Sequence, residues 1–154
     1  TALSEYLRFS LSTANELLVS LQEEVASVIS YLEIEKIRFE DDLEIELDIQ
    51  QDALSCTVPG VLLQPLVENA VKYGMASSPM PMRIRIVGRR QADQLYLEVA
   101  NTGPWIPPDQ ADSSSTGIGL TNLRRRLAQY YPSRHFFDIS ERDGWVKATI
   151  TIDL

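Results

Sequence analysis

The chain has 154 residues, 44% of them hydrophobic, enough to bury one sizeable core and too few to favour two full domains. Its 22 acidic residues outnumber 14 basic ones, and the net charge of −8 repels phosphate backbones, which argues against nucleic acid as a partner. Cys56 is the single cysteine, so an intramolecular disulfide and a thiolate zinc site are excluded, which suits the cytosol.

Leu3, Tyr6, Leu7, Ser10 and Leu11 recur at helical spacing from the first residues, as expected of the end of a longer helix in a portion excised from a larger protein. The pattern Ser20-Leu-Gln-Glu23 is a capping box and predicts a second helix from Ser20 to about Phe39. Val25, Val28, Ile29 and Leu32 form its inner face and Lys36 continues it. Leu43 to Ile49 then alternates with period two, a half-buried strand. Pro59 suits a first helical turn, so the next helix is expected after it, over Val61 to Tyr73 with Gly74 as its stop. Two strands follow, Met82 to Arg90 and Gln94 to Asn101, reading as a hairpin. Thr102 to Thr116 carries three prolines and three serines in a row and reads as a long loop that becomes protected when ligand binds. A helix over Gly119 to Tyr130 and strands over His135 to Arg142 and Trp145 to Asp153 complete the chain. No apolar run approaches the ~20 residues of a membrane helix. Strands in consecutive pairs with helices between the pairs predict an α+β fold, helices on one face of a mixed sheet.

Three segments carry chemistry. On a helical wheel Leu62, Leu63, Leu66, Val67, Ala70 and Val71 form one apolar arc, with Gln64, Glu68 and Lys72 opposite and Asn69 and Tyr73 at the margin. An amide oxygen at Asn69 and a cation at Lys72, three residues on, face the same way and suit a magnesium-bound polyphosphate. Asn101-Thr-Gly-Pro104 ends a strand. Thr116-Gly-Ile-Gly-Leu120 precedes a helix, where glycines let backbone amides approach a phosphate and the helix N-terminus favours an anion. Arg124, Arg125 and Arg126 read as a solvated helix face.

Together and in this order, the three segments resemble the N box and the two glycine boxes of the GHKL superfamily of ATP-binding domains. Leu63-Gln-Pro-Leu-Val-Glu-Asn-Ala-Val-Lys-Tyr-Gly74, Gly117-Ile-Gly-Leu-Thr-Asn-Leu-Arg-Arg-Arg-Leu127 and Tyr31-Leu-Glu-Ile-Glu-Lys-Ile-Arg-Phe39 are similar to the corresponding stretches of LytS-like sensor histidine kinases. The resemblance spans Leu3 to Leu154. It implies a Bergerat-type two-layer sandwich over residues 41–154, preceded over residues 1–40 by the end of a helical dimerisation and phosphoacceptor region. It implies ATP and magnesium as cofactors, with Asn69 on the metal, Lys72 on the phosphates and Tyr73 near the nucleotide. Asn101 and Gly103 would meet the base, and Thr116, Gly117, Gly119 and Leu120 would line the phosphates. A response regulator, a homodimer of the full protein, and a cytoplasmic position beneath a bacterial inner-membrane anchor follow by the same route.

Two positions depart from the family. Asn101 stands where the family has an aspartate that accepts the adenine amino proton, and a neutral amide accepts it less strongly. Trp105 stands where a glycine is common. The ATP-hydrolysing members carry a water-activating glutamate where this chain has Pro65, which points to phosphoryl transfer rather than hydrolysis by a gyrase-like clamp. Glu68, beside Asn69, is either a proton acceptor or an aid to the metal, or else an ordinary solvated helix residue. The only histidine, His135, opens a predicted strand and is not expected to accept phosphate. The leading expectation is therefore the catalytic portion of a histidine kinase lacking its acceptor. The alternative is a non-catalytic nucleotide-binding or dimerisation module.

Overall fold

A computed structural model describes residues 2–5, 7, 18–104 and 118–154. In chain order these form β1 (Leu18–Ser20), α1 (Leu21–Phe39), a 3-10 turn (Glu40–Asp42), β2 (Leu43–Ile49), α2 (Gln51–Leu54), β3 (Thr57–Pro59) and α3 (Gln64–Ser77). Then follow β4 (Met82–Gln91), β5 (Gln94–Thr102), α4 (Ile118–Tyr130), β6 (His135–Arg142) and β7 (Trp145–Asp153). Residues 2–5 and 7 are helical, and the Glu5 carboxylate accepts from the Ser30 hydroxyl at 3.4 Å, laying this turn beside α1. Tyr6, Ser10 and Leu11 of the expected first stripe lie outside the described residues.

The capping box at α1 forms as the spacing predicts: the Ser20 hydroxyl accepts from the Glu23 amide at 3.2 Å. Glu23 and Glu24 in the first turn and Lys36 and Arg38 in the last complement the helix dipole. The main sheet has the order β2-β4-β5-β7-β6. Parallel pairing sets Leu43 of β2 opposite Met82 of β4, and the remaining pairs are antiparallel. Both hairpins have two-residue turns and use positive φ there, at Ala92 in the first and at Asp143 and Gly144 in the second.

Period two then decides which side of the sheet is covered. Ile84, Ile86, Leu97, Val99, Ile150 and Ile152 are buried on one face against Leu66, Val67 and Val71 of α3 and Leu123 and Leu127 of α4. Each such side chain contributes roughly 1.5–3 kcal/mol. The opposite face carries the Glu44–Arg83 and Asp48–Arg89 ion pairs and sets Arg85 over the Trp145 ring at 4.7 Å. This is the expected α+β sandwich, helices on one face of a mixed sheet.

Four expectations are corrected. Pro59 does not open a helix: it pairs with Leu18 in the small β1–β3 ribbon, and Val61 at φ 58° cannot be helical, so α3 waits until Gln64 with Pro65 in its first turn. Nor does Gly74 stop α3, which runs on to Ser77. A Cβ at Gly74 would stand 2.9 Å from Met82 Cγ, so this glycine serves close helix-to-sheet packing. Gln64 is buried rather than opposite the apolar arc, and Lys36 is exposed, its ammonium donating to the Leu43 carbonyl. The short elements β1, α2 and β3, of three, four and three residues, are too brief to register as a period.

Candidate functional site

α3 is the axis of the site, because the two glycine segments meet its opposite ends. At the C-terminal end Gly103, with φ +115°, lies so close that an added Cβ would be 3.0 Å from Ser77 Oγ and 3.2 Å from Ser78 Cα. Only glycine tolerates that backbone and that approach. The Gly103 amide donates to Gly144 O at 3.0 Å. The Thr102 hydroxyl accepts from the Arg83 amide at 2.9 Å and lies 2.7 Å from the Ser78 hydroxyl. At the N-terminal end Gly119 approaches Pro65, its virtual Cβ 3.5 Å from the proline Cβ. Pro65 and Ser77 are separated by roughly 18 Å along a helix rising 1.5 Å per residue.

Asn69, Lys72 and Tyr73 fall between these two ends. Asn69 and Tyr73 are half-buried and Lys72 is exposed, its ammonium 5.7 Å from the Tyr73 ring centroid. Burial pushes the Tyr73 phenol above its ordinary pKa. Glu68 is half-buried and accepts from Gln64 Nε2 at 3.1 Å. Asn101 is buried at the end of β5, and its Nδ2 donates to Thr102 O at 2.9 Å, which fixes the orientation of the amide and turns its oxygen away from that carbonyl. Leu120 is half-buried and packs on the core. The structure thus gathers Glu68, Asn69, Lys72, Tyr73, Asn101, Gly103, Gly119 and Leu120 around one helix. Thr116, Gly117, Trp105 and most of the expected 102–116 loop lie outside the described residues.

The donor set can be tested against a metal. No group of three or more His, Cys, Asp or Glu stands together among the described residues. One carboxamide oxygen at Asn69, with Glu68 beside it, does not make an all-protein cage. It fits magnesium, which commonly takes one or two protein oxygens and completes its shell with phosphate and water. His135 sits away from these groups in the chain's last hairpin, its Nδ1 2.7 Å from Tyr131 O.

Two residues that sequence reasoning missed act at the N-terminal end of α3. Glu24 of α1 is fully buried and accepts from the Leu62 amide at 2.8 Å. Burial pushes its pKa up to about 7, against the lowering pull of backbone amides at Leu62, Leu63 and Val61 and of Arg126. Arg126 of α4 donates to the carbonyls of Gly60 and Val61, so one member of the run read as solvated turns inward. The signal was present for both: each is a charge inside an apolar helical stripe, Leu21, Val25 and Val28 around Glu24, Leu123 and Leu127 around Arg126.

Comparison with known proteins gives the family and the fold. The family model described as Histidine kinase-, DNA gyrase B-, and HSP90-like ATPase matches residues 60–154, and one described as Histidine kinase matches residues 1–43. Sensor histidine kinase YesM of Bacillus subtilis is 33% identical over 88% of this chain and 24% of its own length. Sensor protein LytS of Enterococcus faecalis is 29% identical over 88% and 24% respectively. The chain therefore spans about a quarter of these relatives. Among solved structures, the catalytic domain of histidine kinase ThkA superposes with a TM-score of 0.67 at 16% identity, covering 90% of this chain and 95% of that one, a likeness of fold. The same kinase in complex with response regulator TrrA gives 0.64 at 17% identity, over 97% and 46%.

Proposed function

The chain belongs to the Histidine kinase-, DNA gyrase B-, and HSP90-like ATPase family, in the company of sensor histidine kinases, and from that premise we propose that it binds magnesium-ATP along α3 and presents the γ-phosphate to a protein histidine. The observation that carries this reading is the placement of Gly103 and Gly119 at opposite ends of α3 with Asn69 and Lys72 between them. The base lies at the Gly103 end, where Asn101 accepts the exocyclic amino proton and Tyr73 packs near the nucleotide. The phosphates run toward Gly119, Thr116, Gly117 and the backbone at Leu120. Lys72 contacts them and Asn69 holds the magnesium. Magnesium supplies neutralisation of the phosphate charge when bound; the chain's own contribution is position, the dominant demand of phosphoryl transfer.

Glu68, one residue from Asn69, orders the metal or receives a proton. Pro65, in the first turn of α3, cannot activate water, which favours transfer to a side chain over hydrolysis. The acceptor is a histidine other than His135, carried on the helical region of which residues 1–40 form the end; residues 41–154 form the nucleotide-binding part. In the full protein we place a homodimer, a response regulator as the receiving partner, and a membrane anchor with this part in the cytoplasm. Among the described residues no helix is long and apolar enough to cross a membrane. The neutral Asn101 favours a second reading, a nucleotide-binding module without transfer.

Calorimetry with ATP and ADP, with magnesium and with EDTA, tests the site. Asn69→Ala is expected to remove most of the magnesium-dependent affinity, about tenfold. Tight binding indifferent to both EDTA and the substitution sinks the assignment of α3. Labelled ATP is expected to leave His135 unlabelled; label lost in His135→Gln would overturn the choice of acceptor and exclude the second reading.

A further inference from the structure

Glu24 is a buried carboxyl that the nucleotide site as drawn does not use. Burying such a group is costly unless it is hydrogen-bonded, and the partner here is informative. Oε1 accepts from the Leu62 amide at 2.8 Å, and the amides of Val61 and Leu63 on either side also favour the charged form. The carboxyl therefore faces the amide side of residues 60–63, the segment that delivers the chain from β3 into α3. The carbonyl side of the same segment is held by Arg126, whose Nη1 donates to Gly60 O and, at 3.2 Å, to Val61 O. Between them Val61 sits at φ 58°, a conformation a β-branched residue keeps only when its surroundings impose it. Leu63, the N-cap of α3, has no side-chain cap of its own. A carboxyl from α1 and a guanidinium from α4 do the fixing instead.

We propose that Glu24 and Arg126 are paired positioning residues that tie α1 and α4 to the N-terminal end of α3 and thereby set Asn69 and Lys72 against the nucleotide. This rests on the nucleotide-site reading and deepens it. A helix moves as a unit, so a shift at Leu62 or Leu63 reaches Asn69 about two turns on. The same clamp bears on the second glycine segment, because Arg126 lies two turns along the helix that starts beside Gly119, and a Cβ added at Gly119 would stand 3.5 Å from Pro65 Cβ. It also gives the upstream helical region a direct hold on the phosphate end: α1 reaches the segment before α3 through one side chain. Coupling of that kind is an energy between named residues and is measured as one.

The experiment is a double-mutant cycle in Mg-ADP affinity, by calorimetry, on wild type, Glu24→Ala, Arg126→Ala and the double variant, each shown to be folded at the temperature used. Each single change is expected to weaken binding about tenfold, and the double variant to be little weaker than either one, because both act through one segment. Glu24→Gln, which keeps an acceptor for the Leu62 amide and serves should the alanine variants fail to fold, is expected to retain affinity within about threefold. In parallel, amide exchange in Glu24→Ala should accelerate over residues 62–70 and stay unchanged in the β6–β7 hairpin. Wild-type affinity in folded Glu24→Ala, or acceleration spread evenly over the chain, overturns the proposal. Should wild type itself bind no magnesium nucleotide, the nucleotide-site reading fails, and the exchange pattern still decides whether the clamp holds α3.

Discussion

The two ends of α3 are fastened in opposite ways. At the Gly103 end the fastening is local backbone: a glycine at φ +115° against Ser77 and Ser78, a bond from its amide to Gly144 O, and the Thr102 and Ser78 hydroxyls in contact. At the Pro65 end it is a buried carboxyl and a guanidinium from distant helices, Glu24 and Arg126, acting on one short segment, while among the described residues even a Cβ added at Gly119 would make only ordinary van der Waals contact. Backbone packing has no titratable part and no alternative partner. A buried carboxyl and a guanidinium have both, so the base end should behave as a rigid wall and the phosphate end as the adjustable one.

The largest expected effect breaks the rigid end. Gly103→Ala forces a side chain into a left-handed conformation and against Ser78 backbone, and should cost roughly 3–5 kcal/mol of stability, read by chemical denaturation, with nucleotide binding abolished in whatever remains folded. Wild-type stability would show that β5 and α3 can part without penalty.

Next comes the adjustable end, through pH. Glu24 titrates near 4.5 when unfolded and at about 7 when folded, so between those values the native state holds a proton that the unfolded state releases. Stability from this group is therefore complete below pH 4.5 and is lost as pH rises through 7, a change on the order of 3 kcal/mol. Arg126 is the charged side chain that opposes the upward shift. Denaturation curves at pH 5 and pH 8 should differ less in Glu24→Gln than in wild type by about that amount; equal differences would remove the buried carboxyl from the account.

Two smaller changes sharpen the contrast. Asn101→Asp should tighten adenine-nucleotide binding by about 1 kcal/mol, since a carboxylate accepts the amino proton more strongly. It should also lower stability by a similar amount through loss of the Nδ2 bond to Thr102 O. Affinity that is unchanged or weaker would mean the site is shaped for the amide. Gly119→Ala is expected to alter stability least, by at most about 1 kcal/mol and in the stabilising direction, because among the described residues its Cβ would meet only Pro65, at 3.5 Å, and alanine suits a helix better. A fall in nucleotide affinity without a fall in stability would mark it as a phosphate-side glycine.

The elements that were legible are those whose burial repeats along the chain. β6 and β7 begin and end where alternation places them, at His135–Arg142 and Trp145–Asp153, and α1 starts at its capping box. The misread boundaries are those set by a partner far away in sequence. Gly74 reads as a helix stop until Met82 is seen pressing on it, and Pro59 reads as a helix start until Leu18 pairs with it. Of the site, the helix margin with Asn69 and Tyr73 and the polar face with Lys72 were visible as a pattern, and the glycines were visible as motifs.

Local chemistry alone thus determined the α+β order, the apolar arc of α3, the cap of α1 and the order of the three motif segments that mark the family, because each is written in spacings of a few residues. Only the tertiary structure decided that Gly103 and Gly119 face opposite ends of one helix. Only it decided that Gln64 and Arg126 turn inward and that Glu24 is buried with its carboxyl on the Leu62 amide. Those outcomes depend on which surfaces meet when residues tens of positions apart pack together, and no periodicity within a helix or strand records the identity of the surface it will meet.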